Sequence, residues 1–169
     1  MVSGIPAAGK STVAGLLARR FARGVHLESD VLQRMVVSGS VWPHEQPAEE
    51  ATLQLRQRGR RTALLADSYV GSGFTVVIDE VVIGTRVEEL LDDLVTRPVR
   101  LVMLVPDLAV VAARDAARAK PEVFDVWRHL DDVVRTQTPR VGLWLDSSEL
   151  TAVETVDAIL RRWDEACVP

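Results

Sequence analysis

A glycine-rich segment, Gly4-Ile5-Pro6-Ala7-Ala8-Gly9-Lys10-Ser11-Thr12, lies almost at the start of the chain. It fits the pattern of Gly, four residues, Gly-Lys and Ser or Thr, which forms the phosphate-binding P-loop. Gly4 and Gly9 lack the Cβ atoms that would obstruct a loop bending back around a phosphate, so the backbone N–H groups can point inward. Lys10 is expected to reach the β and γ phosphates as a point charge, and the Ser11 hydroxyl is expected to ligate Mg²⁺.

The residues after this segment predict the helix that a P-loop requires. Val13, Leu16, Leu17 and Phe21 recur at helical spacing, and the opposite face is polar. The first N–H groups of such a helix, together with its dipole, favour a polyanion. The alternative is a strand-to-helix turn that binds nothing, and the helical context favours nucleotide binding over it. We therefore expect ATP to be bound by the loop residues Gly4, Ala7, Ala8, Gly9, Lys10, Ser11 and Thr12.

The composition restricts the class of protein. The chain has 169 residues, and we expect a single domain over residues 1–169. Its net charge of −4 gives no general attraction to nucleic acid or to an anionic membrane. Cys167 is the only cysteine, which excludes an internal disulfide or a cysteine-rich metal site. Nothing resembles a signal peptide, and no apolar run approaches the ~18 residues of a membrane span, so the sequence predicts a cytoplasmic protein.

Strand and helix patterns alternate along the chain. Short apolar runs predict strands at 25–27, 74–78, 99–105 and 142–145, and periodic segments predict helices at 31–36, 48–69, 85–95, 106–120, 123–134 and 151–163. This alternation is typical of a parallel sheet with helices on both faces. We expect a three-layer α/β/α fold of the P-loop NTPase type, with five parallel strands in the order 2-3-1-4-5. Only Met1, Val2 and Ser3 precede the P-loop, so either the first strand is very short or the true start lies upstream.

Two of the predicted helices carry a capping-box pattern at their N-termini. Thr85 is followed three residues later by Glu88, and Thr151 is followed by Glu154. In such a box the Thr side chain accepts a hydrogen bond from the backbone three residues on, while the Glu side chain reaches back to the Thr N–H. Both pairs therefore predict the start of a helix.

Asp79 follows the β-branched and aromatic run 74–78 at the end of a predicted strand, which is the Walker B position. A carboxylate here holds Mg²⁺ beside the P-loop hydroxyl. The alternative is a carboxylate satisfied by loop amides, and the presence of a P-loop favours the metal role. Asp79 and Ser11 are therefore the predicted magnesium ligands, and Asp79 and Glu80 lie where a phosphate acceptor would bind. Glu80 could face either the acceptor or solvent.

Asp30 ends the second predicted strand and is the candidate general base. A carboxylate within reach of the γ-phosphate could accept the proton of an attacking hydroxyl. Asp30 with Gln33 also fits a capping box, and one residue can fill both roles. Glu28 should point to the opposite side of the strand and is the weaker candidate.

Arg114 and Arg118 are four residues apart on one predicted helix, so their side chains share a face. Two guanidinium groups converging on a triphosphate would neutralise charge that develops in the transition state. The alternative is a solvated basic face paired with Asp115 or nearby carboxylates. We favour the catalytic role because the pair lies where a lid over the phosphates could hinge, with Lys120 as a weaker third member.

The aromatic residues permit two interpretations. Trp42 and the neighbouring His44 could line an acceptor pocket, or Trp42 could anchor its loop on the core. Trp127, Trp144 and Trp163 are predicted core residues.

The long helix carries a basic cluster, which consists of Arg56, Arg58, Arg60 and Arg61. Helical spacing scatters these side chains around the axis, which favours a solvated face over a nucleic-acid patch. His26 and His129 have no partner pattern for a metal site and receive no role.

Absent motifs narrow the reaction class. No Asn-Lys-x-Asp motif occurs, and residues 79–82 do not form the Asp-x-x-Gly switch, so a GTPase is disfavoured. No Leu-Ser-Gly-Gly signature supports an ABC-type ATPase. A P-loop with an acid at the end of the second strand suits a small-molecule kinase.

The chain resembles the chloramphenicol phosphotransferase-like family, within the wider group of shikimate- and gluconate-kinase-like P-loop kinases. The resemblance covers essentially the whole chain and rests on GIPAAGKST, HLESDVL, TVVIDEVVIG, ARDAAR and LWLDSSELTAVETVDAI. This family transfers the γ-phosphate of ATP to a hydroxyl of a small acceptor. The resemblance therefore implies ATP and Mg²⁺ as cofactors and a small-molecule hydroxyl acceptor as the partner.

The resemblance also implies roles for individual residues. Asp30 matches the catalytic acid that activates the hydroxyl, Arg114 and Arg118 match the lid arginines, and Lys10 and Ser11 match the phosphate and Mg²⁺ contacts. The residues that match the adenine-contacting segment are Asp146, Ser147 and Ser148. The chain departs from the family after Arg118, where Ala-Lys-Pro-Glu replaces a Gly-Asp-Arg run, and in the acceptor-lining region 37–50.

The sequence thus predicts an ATP- and Mg²⁺-dependent kinase acting on a small metabolite or an antibiotic such as chloramphenicol. One alternative is a nucleotide-binding regulator that hydrolyses little ATP. Another is a toxin-like kinase with a larger substrate, which the net acidity disfavours.

Overall fold

The apolar runs of the sequence form the β-strands of the protein. The computed structural model describes residues 1–117 and 123–168. Its strands are β1 (Val2–Ser3), β2 (Gly24–Glu28), β3 (Thr75–Asp79), β4 (Val99–Arg100), β5 (Val102–Leu104), β6 (Leu143–Leu145) and β7 (Cys167–Val168). A parallel sheet contains five of these strands in the order β2-β3-β1-β5-β6, and β4 pairs antiparallel with β7. Numbered among themselves, the five parallel strands follow 2-3-1-4-5, so the predicted fold and order are confirmed.

Helices connect the strands and cover both faces of the sheet. They are α1 (Lys10–Ala18), α2 (Ser29–Arg34), α3 (Ala48–Gly71), α4 (Arg86–Asp93), α5 (Leu108–Ala116), α6 (Phe124–Trp127), α7 (Leu130–Asp132), a π-helical turn (Val133–Gln137) and α8 (Ala152–Arg161). One apolar cluster packs α1, α5 and α8 against the sheet around Val2, Met103 and Ile159. A second cluster packs α3 and α4 around Ile78 and Leu90. These two clusters produce the three layers that alternation of strands and helices predicts.

Strand register places the candidate site at one edge of the sheet. Val2 in β1 and Glu28 in β2 are both aligned with Asp79, the last residue of β3. The chain segments that leave these three parallel strands therefore emerge side by side. They begin at Gly4, Ser29 and Glu80, which is where ligands bind in open α/β sheets.

The predicted strand 99–105 is divided. Arg100 pairs with Cys167, and the Leu101 N–H donates to the Ala166 carbonyl at 2.8 Å, whereas the Leu101 carbonyl accepts from the Leu143 N–H at 2.9 Å. The chain therefore changes its pairing partner at Leu101. Pairing with a distant segment of the chain, rather than the local apolar pattern, decides this break.

The predicted continuous helix over 123–134 is wrong. The segment forms α6, α7 and a π-helical turn, and Val126 is 52% exposed. The Asp115 carboxylate accepts hydrogen bonds from the backbone N–H groups of Val123 at 2.6 Å and Phe124 at 2.7 Å. A tertiary contact thus sets the start of this segment.

One of the two predicted capping boxes forms. Thr151 has an extended backbone, and its side chain accepts from the Glu154 N–H while the Glu154 carboxylate accepts from the Thr151 N–H. Thr85 makes no side-chain cap hydrogen bond. Its φ of −62° and ψ of −19° are helical, whereas a capping residue has an extended backbone. The box at Thr85 is therefore a wrong prediction.

Within the described residues, no helix is both long and apolar enough to cross a membrane.

Candidate active site

The P-loop connects β1 to α1 with a backbone that requires glycine. Gly4 has φ of 144° and Gly9 has φ of 98°, and a Cβ on Gly4 would lie 2.6 Å from the Leu104 carbonyl oxygen. The base of the loop is held by Ser3, whose hydroxyl donates to the Val82 carbonyl at 2.8 Å and accepts from the Val82 N–H at 3.0 Å. The loop after β3 is therefore fixed against the start of the P-loop.

Lys10 is folded back across its own loop. Its ammonium donates to the Ile5 carbonyl at 3.0 Å, and the residue is 9% exposed. Ser11 and Thr12 follow at the first turn of α1 and are exposed. The arrangement presents a lysine, two hydroxyl groups and the N-terminus of a nine-residue helix at the same place, which suits a phosphate group.

Asp79 lies buried beside the first turn of α1. Burial by itself raises the pKa of Asp79, but contacts from His26 and Ser11 and the charge of Lys10 outweigh it and bring the pKa below its ordinary value. The His26 Nε2 atom lies 3.6 Å from an Asp79 carboxylate oxygen. Asp79 is thus an anion held beside a hydroxyl and an ammonium.

A carboxylate oxygen and a hydroxyl oxygen fit a hard cation such as Mg²⁺. Asp79 and Ser11 provide this pair, and the low pKa of Asp79 keeps the carboxylate ionised. Among the residues that the structure describes, no group of three His, Cys, Asp or Glu side chains could hold a metal ion by itself. The donor set therefore fits an ion that takes its remaining ligands from nucleotide phosphates and water, as Mg²⁺ does.

Asp30 belongs to a row of alternating charges that leads from the surface into the protein. Arg58 on α3 lies between two carboxylates, with its Nη1 atom 2.9 Å from Asp30 Oδ1 and its Nη2 atom 3.4 Å from Glu80 Oε1. Glu80 is also paired with Arg86 at 3.0 Å. The Asp30 side chain is 49% exposed, whereas that of Glu80 is fully buried. Glu80 thus faces two arginines, and neither an acceptor nor solvent, which differs from both alternatives considered for it.

The capping box predicted at Asp30 does not form. Helix α2 begins at Ser29, so Asp30 lies in its first turn, and the N-terminus has no side-chain cap. Gln33 instead donates to the Ser40 hydroxyl at 3.0 Å and to the Gln54 side chain at 2.9 Å. Gln54 in turn accepts from the Val41 N–H at 2.9 Å. These bonds tie the 35–47 loop, defined as the segment between α2 and α3, to both helices.

Arg114 joins the P-loop to the segment after β6. Its guanidinium donates to the Ala8 carbonyl at 3.3 Å and to the Ser147 carbonyl at 2.7 Å. The Asp146 carboxylate accepts from the hydroxyl and the N–H of Ser148, and these bonds lower the pKa of Asp146. Two of the segments predicted to hold ATP are therefore brought together by Arg114. Arg118, the second predicted lid arginine, lies outside the described residues.

Aromatic rings connect the 35–47 loop to α6. The His44 and Trp127 rings meet edge to face with centroids 5.5 Å apart, and Trp127 lies 6.1 Å from the His129 ring. Trp127 is half-buried, as are Trp42 and Trp144. Trp144 and Trp163 pack against the first apolar cluster, as predicted for core residues. The core prediction for Trp127 is wrong, because its ring packs against His44 and His129. Trp42 lies in the same loop as His44, and its backbone N–H donates to the Glu45 carboxylate at 2.7 Å.

Sequence reasoning missed Arg58, Arg86 and His26 as site residues. Arg58 was grouped with solvated neighbours, yet its side chain is 5% exposed. Arg58 occupies the face of α3 shared by the buried Gln54 and Thr62, which is the signal that could have identified it. His26 lies two residues from the end of β2 and is aligned with Val77 of β3, which brings it near Asp79. No local pattern in the sequence predicts this register.

Comparison with known proteins places the chain in a family. Residues 1–140 match the model of the AAA_33 family, described as an AAA domain. No curated protein sequence matches the chain. The structure is similar to a sugar kinase from Janibacter sp. HTCC2649, with a TM-score of 0.69 and 18% identity over 98% of this chain and 93% of that one.

Two further structures share the fold over nearly their whole lengths. The Deinococcus radiodurans tunicamycin resistance protein has a TM-score of 0.65 and 16% identity over 99% of this chain and 96% of that one. The Mycobacterium tuberculosis APS kinase, solved with AMPPNP and APS, has a TM-score of 0.68 and 14% identity over 96% of this chain and 95% of that one. At such identities the likeness establishes the fold, and it agrees with the resemblance to small-molecule P-loop kinases. With five-sixths of its length matched by one family model, the chain belongs to the AAA_33 family.

Proposed function

We propose that the protein is a kinase that transfers the γ-phosphate of ATP to a hydroxyl group of a small molecule. The observation that carries this proposal is the convergence of the P-loop, Asp79 and Asp30 at one edge of the sheet, set by the register of β1, β2 and β3. Kinases share the fold, and one of them, the APS kinase, was solved with a nucleotide analogue and APS. These likenesses support the proposal.

In this reaction the acceptor oxygen attacks the γ-phosphorus while the bond to the bridging oxygen of ADP breaks. The P-loop amides and Lys10 hold the phosphates, and Arg114 neutralises charge beside them. Asp30, half-exposed in the first turn of α2, takes the proton of the hydroxyl. Mg²⁺, held by Ser11 and Asp79, would neutralise phosphate charge when bound.

The acceptor is proposed to bind between the half-exposed Asp30 and the 35–47 loop that carries Trp42. The candidate acceptors are hydroxylated antibiotics, sugars, nucleosides and small acids. The resemblance to chloramphenicol phosphotransferases and the shared fold with a tunicamycin resistance protein give the antibiotics a place in this set.

The test is ADP release from ATP·Mg²⁺ across a panel of these acceptors, with Lys10→Ala as the blank. We expect one class of acceptor to stimulate release, Lys10→Ala to abolish it, and Asp30→Asn to lose turnover while retaining ATP affinity. ATP binding without any acceptor response would favour the nucleotide-binding regulator. Stimulation by a macromolecule alone would favour the toxin-like kinase.

A further inference from the structure

Arg58 is a buried cation that reaches the proposed base. Its side chain is 5% exposed, and its two Nη atoms contact carboxylates from different segments, Asp30 after β2 and Glu80 after β3. A guanidinium buried this deeply requires paired carboxylates, because the loss of its hydration is otherwise uncompensated. The position of Arg58 is thus determined by both acids.

Glu80 and Arg86 extend this arrangement into the protein. The Glu80 side chain is fully buried and pairs with Arg58 and Arg86 through one oxygen, Oε1. Arg86 also donates to the Val81 carbonyl at 2.8 Å, which fixes it to the backbone after β3. Arg58 is therefore paired with a buried carboxylate that a second arginine also contacts.

Asp30 is the one member of this row that opens widely to the surface. Its side chain is 49% exposed, compared with 20% for Arg86 and 5% for Arg58. Arg58 contacts the Oδ1 atom at 2.9 Å, which restrains the rotation of the carboxylate while half of the side-chain surface stays accessible. A base restrained in this way accepts a proton along a defined direction, and loss of such alignment is a recognised cause of reduced turnover.

We propose that Arg58, supported by Glu80 and Arg86, is a positioning residue that holds the Asp30 carboxylate in the orientation for taking the acceptor proton. Arg58 acts through Asp30 and contacts neither the acceptor nor ATP. This inference rests on the proposed function, in which Asp30 is the base. Glu80 accordingly serves catalysis through Arg58 and has no contact with the acceptor.

A double-mutant cycle separates positioning from general support of the fold. Arg58→Gln should lower kcat by about tenfold to a hundredfold, with the KM for ATP unchanged within about twofold. In an Asp30→Asn background the same substitution should reduce kcat by less than about threefold, because its target is already absent. Equal losses in both backgrounds, or an unchanged kcat in the single variant, would overturn the proposal.

Matched variants show whether a loss of turnover in Arg58→Gln comes from a disturbed fold. Arg56 lies two residues before Arg58 on α3, is exposed and contacts Glu89 at 3.5 Å. The Arg56→Gln variant should therefore retain full turnover. If Arg58→Gln fails to fold, Arg58→Lys and Glu80→Gln replace it in the cycle. Arg58→Lys should be more active than Arg58→Gln, because the positive charge is kept. It should be less active than the wild type, because one ammonium cannot reach both carboxylates in the geometry of a guanidinium.

A second measurement needs no acceptor. In ¹⁵N-labelled protein, the side-chain N–H signals of Arg58 should shift and exchange faster in Asp30→Asn, whereas those of Arg56 should not change. Unchanged Arg58 signals would refute the contact even if the kinase reaction is found. If the Arg58 signals shift as expected but no acceptor stimulates ADP release, the kinase proposal is refuted and the Arg58–Asp30 contact stands. Asp30 would then not be a base, so the positioning role of Arg58 would be overturned as well.

Discussion

At the scale of single residues, Arg114 links two segments that we propose bind ATP. It donates to the Ala8 carbonyl in the P-loop and to the Ser147 carbonyl after β6. Hydrogen bonds from a charged donor contribute about 1.5–3 kcal/mol each, so we expect Arg114→Ala to weaken ATP binding about tenfold or more. ATP titration by calorimetry would measure this. Arg114→Lys should recover little, because an ammonium lacks the planar fork.

The control for Arg114 is Arg162→Ala. Arg162 pairs with Glu165 on the exposed end of the chain after α8. We expect ATP affinity to be unchanged in this variant. Equal ATP affinity in Arg114→Ala and the wild type would remove Arg114 from the proposed nucleotide site.

Asp67 on α3 contributes to the way in which the stability of the fold depends on pH in the acidic range. Its carboxylate accepts from the backbone N–H groups of Val95 at 2.9 Å and Thr96 at 2.8 Å. Burial raises the pKa of Asp67, but the bonds from Thr96 and Val95 and the nearby Arg97 lower it below the ordinary value. Because the folded pKa lies below the unfolded value of about 3.9, this stability is present above that pH and is lost as the pH falls through the folded pKa.

Asp67→Asn should therefore lower the urea midpoint at neutral pH and reduce the difference in stability between about pH 5 and pH 2. Asp92→Asn, at an exposed position on α4, is the control and should follow the wild-type pH profile. If Asp67→Asn has the same pH profile as the wild type, the carboxylate does not contribute through these bonds.

At the scale of elements, the start of α8 offers a comparison with the start of α4. Thr151 caps α8, whereas Thr85 makes no cap hydrogen bond. We expect Thr151→Ala to lower the free energy of unfolding by about 1 kcal/mol and Thr85→Ala to change it by less than about 0.5 kcal/mol. Urea denaturation of both variants would measure this difference. A loss for Thr85→Ala as large as that for Thr151→Ala would contradict the assignment of the caps.

The positions of most helices and strands could be predicted from the sequence. The apolar runs and helical periods located the main strands and helices, because burial of a face leaves a period in the sequence. The division of 99–105 at Leu101 and the breaks within 123–134 were not predictable. The first depends on pairing with Cys167–Val168. In the second, the Asp115 carboxylate sets where the segment begins, at Val123 and Phe124.

At the scale of the whole molecule, nucleotide binding should stabilise the fold. A ligand at about 100 times its Kd adds about 2.7 kcal/mol to stability, which raises the Tm of a chain of this length by about 5–10 °C. We expect this shift with ATP·Mg²⁺, a smaller one when EDTA removes the metal, and none in Lys10→Ala. Differential scanning fluorimetry measures all three. A shift in Lys10→Ala as large as in the wild type would argue against binding at the P-loop.

The sequence by itself determined the P-loop, the order of the main elements, the capping box at Thr151, the acid Asp79 at the end of β3 and the acid Asp30 two residues after β2. These features are local, because loop conformation, capping and the burial of one face each depend on residues close together in the chain.

Only the tertiary structure decided which charges meet. It placed Arg58 between Asp30 and Glu80, and His26 beside Asp79. Arg58 is 28 positions from Asp30 and 22 positions from Glu80 in the chain. These three residues come into contact because α3 packs across the ends of β2 and β3. The periodicity of α3 marks its buried face, but the partner of a buried charge depends on packing between elements, which no local pattern encodes.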